Sequence, residues 1–525
     1  MRLPLTQGLL VGRATQSPVS TNTSITLPAS QPAWAEPLSP NLAGFSIEMD
    51  RWPLWSGAEV GQPNSFTNQV LQNLADRTGV PPFFRVGADS EDRAHLDLSY
   101  QVMNATFPAP TADVPIPEAS VISIGRDFYA LSANLLSGTP FMWGINLKLG
   151  NLTDTVAQAS LVADTFQGSR KDVTKNVKLV NLEIGNEPDF YSIQGTGYSS
   201  SWTPQNYSDT WREYASAVNK VIKLDNGGTT YSAGAFATFS SGLEWNTGVT
   251  LEAGIMADSD TRSKTSHFAE HQYSGAFGYG PTALPGQLMD KGTIRGNLST
   301  KWADVKAARS TGLSFILGET NSYANHGMPG TSNTAEAAIW ATDYILQAAS
   351  MGIERLHFHH GFGYRYNLFQ PAAGADDGLN LTSRAHILPS YHSFLIVNEA
   401  IGTSGKASVA ELGTTNSSLS AYGIWENGNL ARMVLINSAP YVSVNGTLPA
   451  ARNSFSVNLA NWKDGSNATV KRLAVPYTNA FTGLTWANQT FETESGKPEG
   501  TVYEEPLHNG VVSIDASSVA LICFK

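Results

Sequence analysis

The chain has 525 residues, 41% hydrophobic and 15% charged, which describes a globular protein large enough for two cores and excludes a disordered chain. Its 33 basic and 44 acidic residues leave a net charge of −11, so nucleic acid is not expected as a partner. No apolar run reaches the roughly 18–20 residues that span a bilayer, and no membrane partner is expected.

The first 40 residues form a segment of their own. Met1 to Gly12 has one Arg and a short apolar stretch broken by Pro4 and Gln7, a poor signal peptide. Thr21–Leu27 is strand-like and is expected to add a strand to a later β-domain. From 41 to 402, short apolar runs that finish on polar residues alternate with helical periodicity. The strands are expected at Ala43–Asp50, Phe83–Gly87, Phe141–Leu149, Val177–Asn186, Tyr231–Ala237, His267–Tyr273, Leu313–Thr320 and Ile353–Gly361. Helices are expected at Phe66–Thr78, Asp127–Leu136, Pro204–Leu224, Thr300–Arg309 and Ala335–Ala349, with Thr153, Thr203 and Thr334 placed to cap. Eight strands in such alternation predict an α/β fold, a (β/α)8 TIM barrel. The rival is a doubly wound open sheet, but no Gly-x-Gly-x-x-Gly follows the first strand.

From 403 to 525 the texture changes to β-rich runs between turn residues: Leu419–Trp425, Leu430–Asn437, Ser454–Leu459, Thr469–Val475 and Val511–Cys523. Asn427-Gly428 between two of them signals a hairpin, and the region reads as an all-β sandwich domain.

Barrel enzymes carry their chemistry at the C-terminal ends of strands. Two such ends hold glutamates in polar settings: Glu187 in Asn186-Glu187-Pro188-Asp189 after the fourth strand, and Glu319 in Glu319-Thr320-Asn321 after the seventh. They are 132 positions apart (319 minus 187), yet a barrel brings its fourth and seventh strand ends together. Cleaving a glycosidic bond needs such a pair: one carboxyl to protonate the leaving oxygen, the other to face the oxocarbenium-like carbon.

Asn186-Glu187-Pro188 within Leu182–Asp189, and Glu319 at the end of strand seven, resemble the clan A glycoside hydrolases. Further runs resemble glycoside hydrolase family 79, the β-glucuronidase and heparanase family, and its fungal members in particular. They are Leu71–Leu74 with Arg77–Pro82, Phe84–Gly87, His271-Gln272-Tyr273, Leu317–Ser322 and Tyr364–Asn367. The likeness covers nearly all the chain from about residue 40. It implies Glu187 as acid/base, Glu319 as nucleophile, Asn186 on the sugar 2-hydroxyl, Tyr273 orienting Glu319, and Arg85 keeping Glu319 ionised. One departure stands out: after Arg85-Val86-Gly87, where relatives continue Gly-Asn, this chain has Ala88-Asp89, in a loop near the sugar's non-reducing side.

A glucuronidase must also recognise a sugar carboxylate. The resemblance points to hydroxyl and backbone donors after strands seven and eight: Tyr323, Tyr364 and Tyr366, with Gly363 permitting close backbone approach and Arg365 between two of the tyrosines. Glu48, ending strand one, is placed to accept from the 3- or 4-hydroxyl. His357, His359 and His360 look like a metal cluster, but alternation splits them between two faces and no Cys or carboxylate completes a site at metal spacing. No metal and no cofactor are expected; the histidines are assigned to the barrel interior and its top.

The expected activity is therefore that of a retaining exo-β-glucuronidase acting on glucuronide-bearing glycans, such as those of arabinogalactan protein, with or without a 4-O substituent on the glucuronate. Alternatives are another clan A activity (heparanase-like endo-glucuronidase, arabinofuranosidase, glucosylceramidase or xylanase) or an inactive carbohydrate-binding relative. Asn-x-Ser/Thr begins at Asn22, Asn104, Asn151, Asn206, Asn297, Asn380, Asn416, Asn445, Asn467 and Asn488, which points to N-glycans and secretion. The single cysteine, Cys523, allows no internal disulfide.

Overall fold

The computed structural model describes residues 19–111, 114–192, 198, 201–225, 227–238, 244–462 and 467–524. Eight parallel strands close into a barrel: β1 (Ala43–Glu48), β2 (Phe84–Gly87), β3 (Pro140–Ile145), β4 (Lys178–Ile184), β5 (Thr230–Phe236), β6 (Thr265–Ala276), β7 (Ser314–Ala324) and β8 (Arg355–His360), with β8 pairing back to β1. The strands are buried on both faces, so they read as nearly continuous apolar runs. Their outward side chains, among them Phe45, Ile47, Leu182, Ile184, Phe315, Leu317 and Phe358, share one core with the surrounding helices. Inside the barrel, Phe83, Met142, Ala269 and Ile316 form a small separate plug. Further along the strands the inward positions turn polar: Ser46, Arg85, Glu183 and Glu319 are all buried. Apolar packing thus fills the base of the barrel and leaves a polar floor beneath its C-terminal mouth.

The helices have identifiable starts and stops. In Ser65–Thr78, Asn64 accepts from Thr67 N and Gly79 ends the helix at φ 78°, a left-handed stop that glycine adopts without strain. Pro204–Val218 begins with a reciprocal capping box between Thr203 and Asn206. The other two expected caps are corrected. Asn151, not Thr153, caps Leu152–Phe166, because its side chain reaches Asp154 N. Thr334 spends its hydroxyl on the Thr331 carbonyl instead of its own helix. The helix expected at Asp127–Leu136 is only a 3₁₀ stretch, Tyr129–Asn134. There Phe128 and Tyr129 stack edge-on against each other and pack on Trp143, and this packing overrides the local periodicity.

After β2 a 3₁₀ turn (Ala88–Arg93) leads into a three-stranded sheet of Ala94–Leu96, Met103–Thr106 and Val121–Ile124, an insertion the pattern of the sequence did not show. Its last turn is fastened to the β1 loop: Arg51 donates to Pro117 O, and Asp50 accepts from Ala119 N.

The C-terminal region is two packed sheets. An eight-stranded sheet holds Ala407–Glu411, Leu419–Glu426, Asn429–Asn437, Ser518–Phe524 and Ala468–Ala474 in that order, with short flanking strands. A three-stranded sheet holds Val511–Asp515, Ser454–Ala460 and Ser20–Thr26, the last pairing in parallel with Ser454–Ala460. Trp425, Leu435, Val457, Ile514 and Ile522 lie in the core between the sheets. Asn427 and Gly428, at φ 51° and 82°, make the two-residue hairpin turn. Val511–Cys523, expected as one run, is two strands in different sheets, broken where Ser517 takes φ 53°.

Glu399, on helix Tyr391–Ile401, ties the barrel side to the eight-stranded sheet. It accepts from buried Trp486 Nε1 at 2.7 Å and pairs with Lys471 and, at 3.5 Å, Arg77. Glu399→Ala leaves the Trp486 N–H unsatisfied and is expected to destabilise the protein by about 1–3 kcal/mol. A lowered urea midpoint with unchanged slope is the expected result; an unmoved midpoint would show that apolar contact alone holds this joint.

Candidate active site

The site is organised around Arg85. Its position on β2 points it into the barrel, where it is fully buried. Nε donates to Glu183 Oε1 at 2.7 Å, one terminal nitrogen reaches Ser46 Oγ and Glu319 Oε2, both at 2.9 Å, and the other reaches Asn186 Oδ1 at 2.7 Å. One guanidinium therefore joins side chains from β1, β4 and β7. Asn186 passes the contact on, donating from Nδ2 to Asp89 Oδ1 at 2.9 Å.

Glu187 follows a kink. Gly185 at φ 82° has no room for a side chain against Leu147 and Tyr191, and Glu187 itself sits at φ 45°. Its N–H donates to the carbonyl of Ala235, another left-handed residue, at the end of β5. Such conformations cost roughly 1–3 kcal/mol each and persist where the surroundings impose them. Glu187 Oε1 lies 2.8 Å from His271 Nδ1. Burial holds the Glu187 carboxyl well above the usual carboxylate range, reinforced by the charges of Asp89, Glu319 and Asp189. Burial drives His271 the other way, down to about 3, so its ring is neutral.

Glu319 has the opposite bias. Burial pushes its carboxyl up, but His359, Arg85 and the Tyr273 hydroxyl bring it down to about 2. Tyr273 donates to Oε1 at 2.7 Å, and His359 Nδ1 lies 3.5 Å from Oε2. Oxygens of Glu187 and Glu319 and a nitrogen of His271 all fall within 4.8 Å of one another. That closeness matches the roughly 5–5.5 Å separation of retaining glycosidases rather than the wider spacing that leaves room for a water. A cation is the other occupant such a trio suggests. The guanidinium already set against Glu319 supplies that positive charge.

The remaining expected residues divide. Tyr366 lies in the site, buried, its ring 6.2 Å from that of Tyr273. Tyr323 is two residues past Asn321 on β7, half-buried at the lip, and its hydroxyl has no hydrogen-bond partner among the described residues. Three of the expected residues already have partners within the protein. Glu48 is not a free acceptor: it is almost wholly buried, accepts from Ser90 N at 2.9 Å and faces His359 Nε2 at 3.1 Å. Tyr364 spends its hydroxyl on Glu118 at 2.5 Å, a residue of the insertion. Gly363 spends its N–H on Gln370 Oε1 at 3.1 Å, and Ile116 fills the space where a side chain would stand. Ala88 holds φ 61°, a backbone that glycine adopts freely and alanine only with strain.

Sequence reasoning missed His271 and Glu183 as site residues and gave His359 no role. His271 shares the inward face with Tyr273, two residues on, and Glu183 is a charge inside an apolar strand; both signals were readable. Glu118 carried no signal, since nothing local announces the sheet that delivers it. Of the three histidines on β8, His359 enters the site. His357 is buried among barrel residues, with its ring edge-on to Phe83, and His360 faces outward among Phe45, Trp55 and Phe369.

Residues 421–521 match the family model of the glycosyl hydrolase family 79 C-terminal beta domain. Over 502 residues the chain is 30% identical to a beta-glucuronidase of Aspergillus niger, covering 91% of this chain and 88% of that one. The chain belongs to glycoside hydrolase family 79. A beta-glucuronidase of Neurospora crassa is likewise 30% identical, over 90% of this chain and 89% of that one. Among solved structures, a 4-O-alpha-L-rhamnosyl-beta-D-glucuronidase from Fusarium oxysporum superposes with a TM-score of 0.77 at 26% identity, covering 96% of this chain and all of that one. A family 51 alpha-L-arabinofuranosidase from Bifidobacterium longum, at 14% identity and a TM-score of 0.60 over 97% of this chain, shares the fold. As a family 79 member the protein is a glycoside hydrolase.

Because the Glu319 charge helps hold the Glu187 proton, Glu319→Gln should lower the Glu187 pKa. Carbon-13 NMR of the labelled carboxyl should show a downward shift of about one unit or more. The alkaline limb of the wild-type pH profile should follow the unshifted value, since activity is lost as pH rises through the acid's pKa. An unchanged Glu187 titration would mean the two carboxyls are not coupled.

Proposed function

We propose that this protein is a secreted, retaining exo-β-glucuronidase in which Glu319 attacks the anomeric carbon and Glu187 serves as acid and then base. The observation that supports it best is the opposed protonation of two close carboxyls, in a chain 30% identical over about nine-tenths of its length to fungal beta-glucuronidases.

In the first step Glu319 forms a bond to the anomeric carbon, the glycosidic bond breaks, and the Glu187 proton passes to the departing oxygen. With His271 as the Nδ1–H tautomer, that N–H donates to Glu187 Oε1 and leaves the acidic proton on Oε2 for the leaving group. In the second step Glu187, now ionised, removes a proton from water as its oxygen attacks the same carbon and Glu319 departs. Arg85 and Tyr273 hold Glu319 ionised and aimed, and the sugar 2-hydroxyl falls to Asn186. For the sugar carboxylate, Tyr364 and Gly363 being engaged elsewhere, the donors are Tyr366 and the unpartnered Tyr323, beside cationic His359, whose proton Glu319 and Glu48 hold against burial.

A panel of 4-nitrophenyl glycosides tests the reading. β-Glucuronide should exceed β-glucoside by roughly 10⁴ in kcat/KM, and Tyr323→Phe should narrow the gap. The first product seen by proton NMR should be the β-anomer. Glu319→Ala should be almost inactive and partly rescued by azide, giving the α-glycosyl azide. Comparable rates on glucoside and glucuronide would overturn the substrate, and an α-anomeric product from the unmodified enzyme would overturn the mechanism.

The N-glycans proposed for the secreted protein are also testable. Asn22, Asn104, Asn151, Asn206, Asn380, Asn445, Asn467 and Asn488 are exposed, whereas Asn297 donates its Nδ2 to the Tyr273 carbonyl at 2.9 Å. Glycopeptide mass spectrometry of protein secreted from a fungal host should find glycans among the exposed group and an unmodified Asn297. An occupied Asn297 would contradict this arrangement.

A further inference from the structure

Acid catalysis by Glu187 needs the His271 proton on Nδ1, and the contacts on the far side of a neutral imidazole decide where its proton lies. That far side is Nε2, which is buried and has no hydrogen-bond partner among the described residues. Glu183 presents a matching gap. Its Oε1 takes the contacts with Arg85, at 2.7 Å from Nε and 2.6 Å from a terminal nitrogen, while its Oε2 is buried and equally without a partner. Both side chains are only 1% exposed. Buried polar atoms are ordinarily matched by protein or by ordered water. With the proton on Nδ1, Nε2 and Oε2 are both acceptors, so no direct bond can join them and a donor must stand between.

The two atoms converge on Gly318. A side-chain carbon on that residue would stand 3.7 Å from Glu183 Oε2 and 3.7 Å from His271 Nε2. Gly318 has no positive φ, so its backbone does not call for glycine. What the missing side chain leaves is space between β4, β6 and β7, bounded on its apolar side by Ala269, 3.1 Å from the same point. Ser232 is the register partner of Glu183 on β5, so the two side chains share a face. Its hydroxyl too is buried and without a partner among the described residues.

We propose that the barrel holds one water molecule beside Gly318, donating to Glu183 Oε2 and His271 Nε2 and accepting from the Ser232 hydroxyl, and that this water fixes the tautomer of the ring beside the acid. Its consequence for catalysis rests on the retaining-glucuronidase reading; the site itself does not. A carboxylate only accepts, so one water hydrogen is committed to Glu183. With Ser232 donating, the second falls to Nε2, and the ring proton is left on Nδ1, toward Glu187 Oε1. Every hydrogen then has an acceptor. The other tautomer sends Nε2–H to the water and leaves the Ser232 hydroxyl hydrogen with none. Arg85 thus acts on the acid at a distance: it fixes Glu183, Glu183 aims the water, and the water sets the ring. Glu183, Ser232 and Gly318 are positioning residues.

A neutron crystal structure of the unmodified protein should show a water within hydrogen-bond reach of both atoms, and a deuteron on His271 Nδ1 but not on Nε2. Gly318→Ala puts a methyl against both atoms that bonds to neither. With no donor left, the ring should turn its proton to Nε2, facing the Glu183 carboxylate, as read by nitrogen-15 NMR of labelled histidine. Its kcat/KM on alkyl β-glucuronides should fall by roughly tenfold or more, since general-acid help is worth about 10²–10⁴. On 2,4-dinitrophenyl β-glucuronide, whose leaving group needs no proton, the change should stay under about threefold. Ser232→Ala only removes an atom and should move the tautomer and the alkyl rate the same way, to a smaller extent, so the inference survives a misfolded first variant. A site without water, or a proton on Nε2 in the unmodified protein, would overturn the inference. So would equal losses on both leaving groups with the tautomer unmoved. Inertness of the unmodified protein toward both glucuronides, with water and tautomer as stated, would overturn the glucuronidase reading and leave the water site standing.

Discussion

A buried guanidinium is the constraint on which this structure turns. Taking Arg85 out of water costs several kcal/mol, and only well-placed opposite charge and complete hydrogen bonding offset that. The barrel supplies both, with Glu183 and Glu319 as counter-charges and Ser46 and Asn186 as further acceptors. These partners sit on or just after three different strands of the barrel wall, β1, β4 and β7, so the ion is satisfied only when the barrel is closed and in register. Fold and site are the same arrangement seen from two sides.

The charge balance then assigns protonation. Arg85 serves Glu183 and Glu319, and His359 adds a second cation beside Glu319 and Glu48. Glu91, whose carboxylate fills the space beside Gly87 and Gly144, and Glu187 are both driven by burial toward the neutral form. Two glutamates at the C-terminal ends of β4 and β7 therefore differ in protonation because one faces the guanidinium and the other faces a neutral imidazole. That difference is what acid-assisted displacement requires.

The mouth of the barrel also concentrates backbone strain. Ala88, Glu187, Ala235, Thr238, Asn325 and His326 are non-glycine residues with positive φ, all in or just beyond C-terminal strand ends. The closely packed aliphatic and aromatic layer outside the strands holds these ends in place. Stability made in the core is thus what permits the side chains of the mouth to be aimed.

The amino-acid sequence by itself determined the eight-fold alternation, the change to β-texture after residue 403, and the two glutamates. Each is a local or periodic signal: apolar strands ending on polar residues, Asn-Gly between strand-like runs, Glu187 after Gly185-Asn186. It could not show that Tyr364 and Gly363 are already engaged, because their partners Glu118 and Gln370 reach them through tertiary packing, Glu118 from 246 positions away. Nor could it separate His359 from His357, which alternation puts on the same face, or say which face meets the site. With His360 they lie within four residues, and only barrel closure sets one beside Glu48 and Glu319 while another meets Phe45 and Trp55. Hydrogen-bond partnership and burial belong to the assembled barrel, since both depend on which distant strands meet, and local pattern carries no record of that.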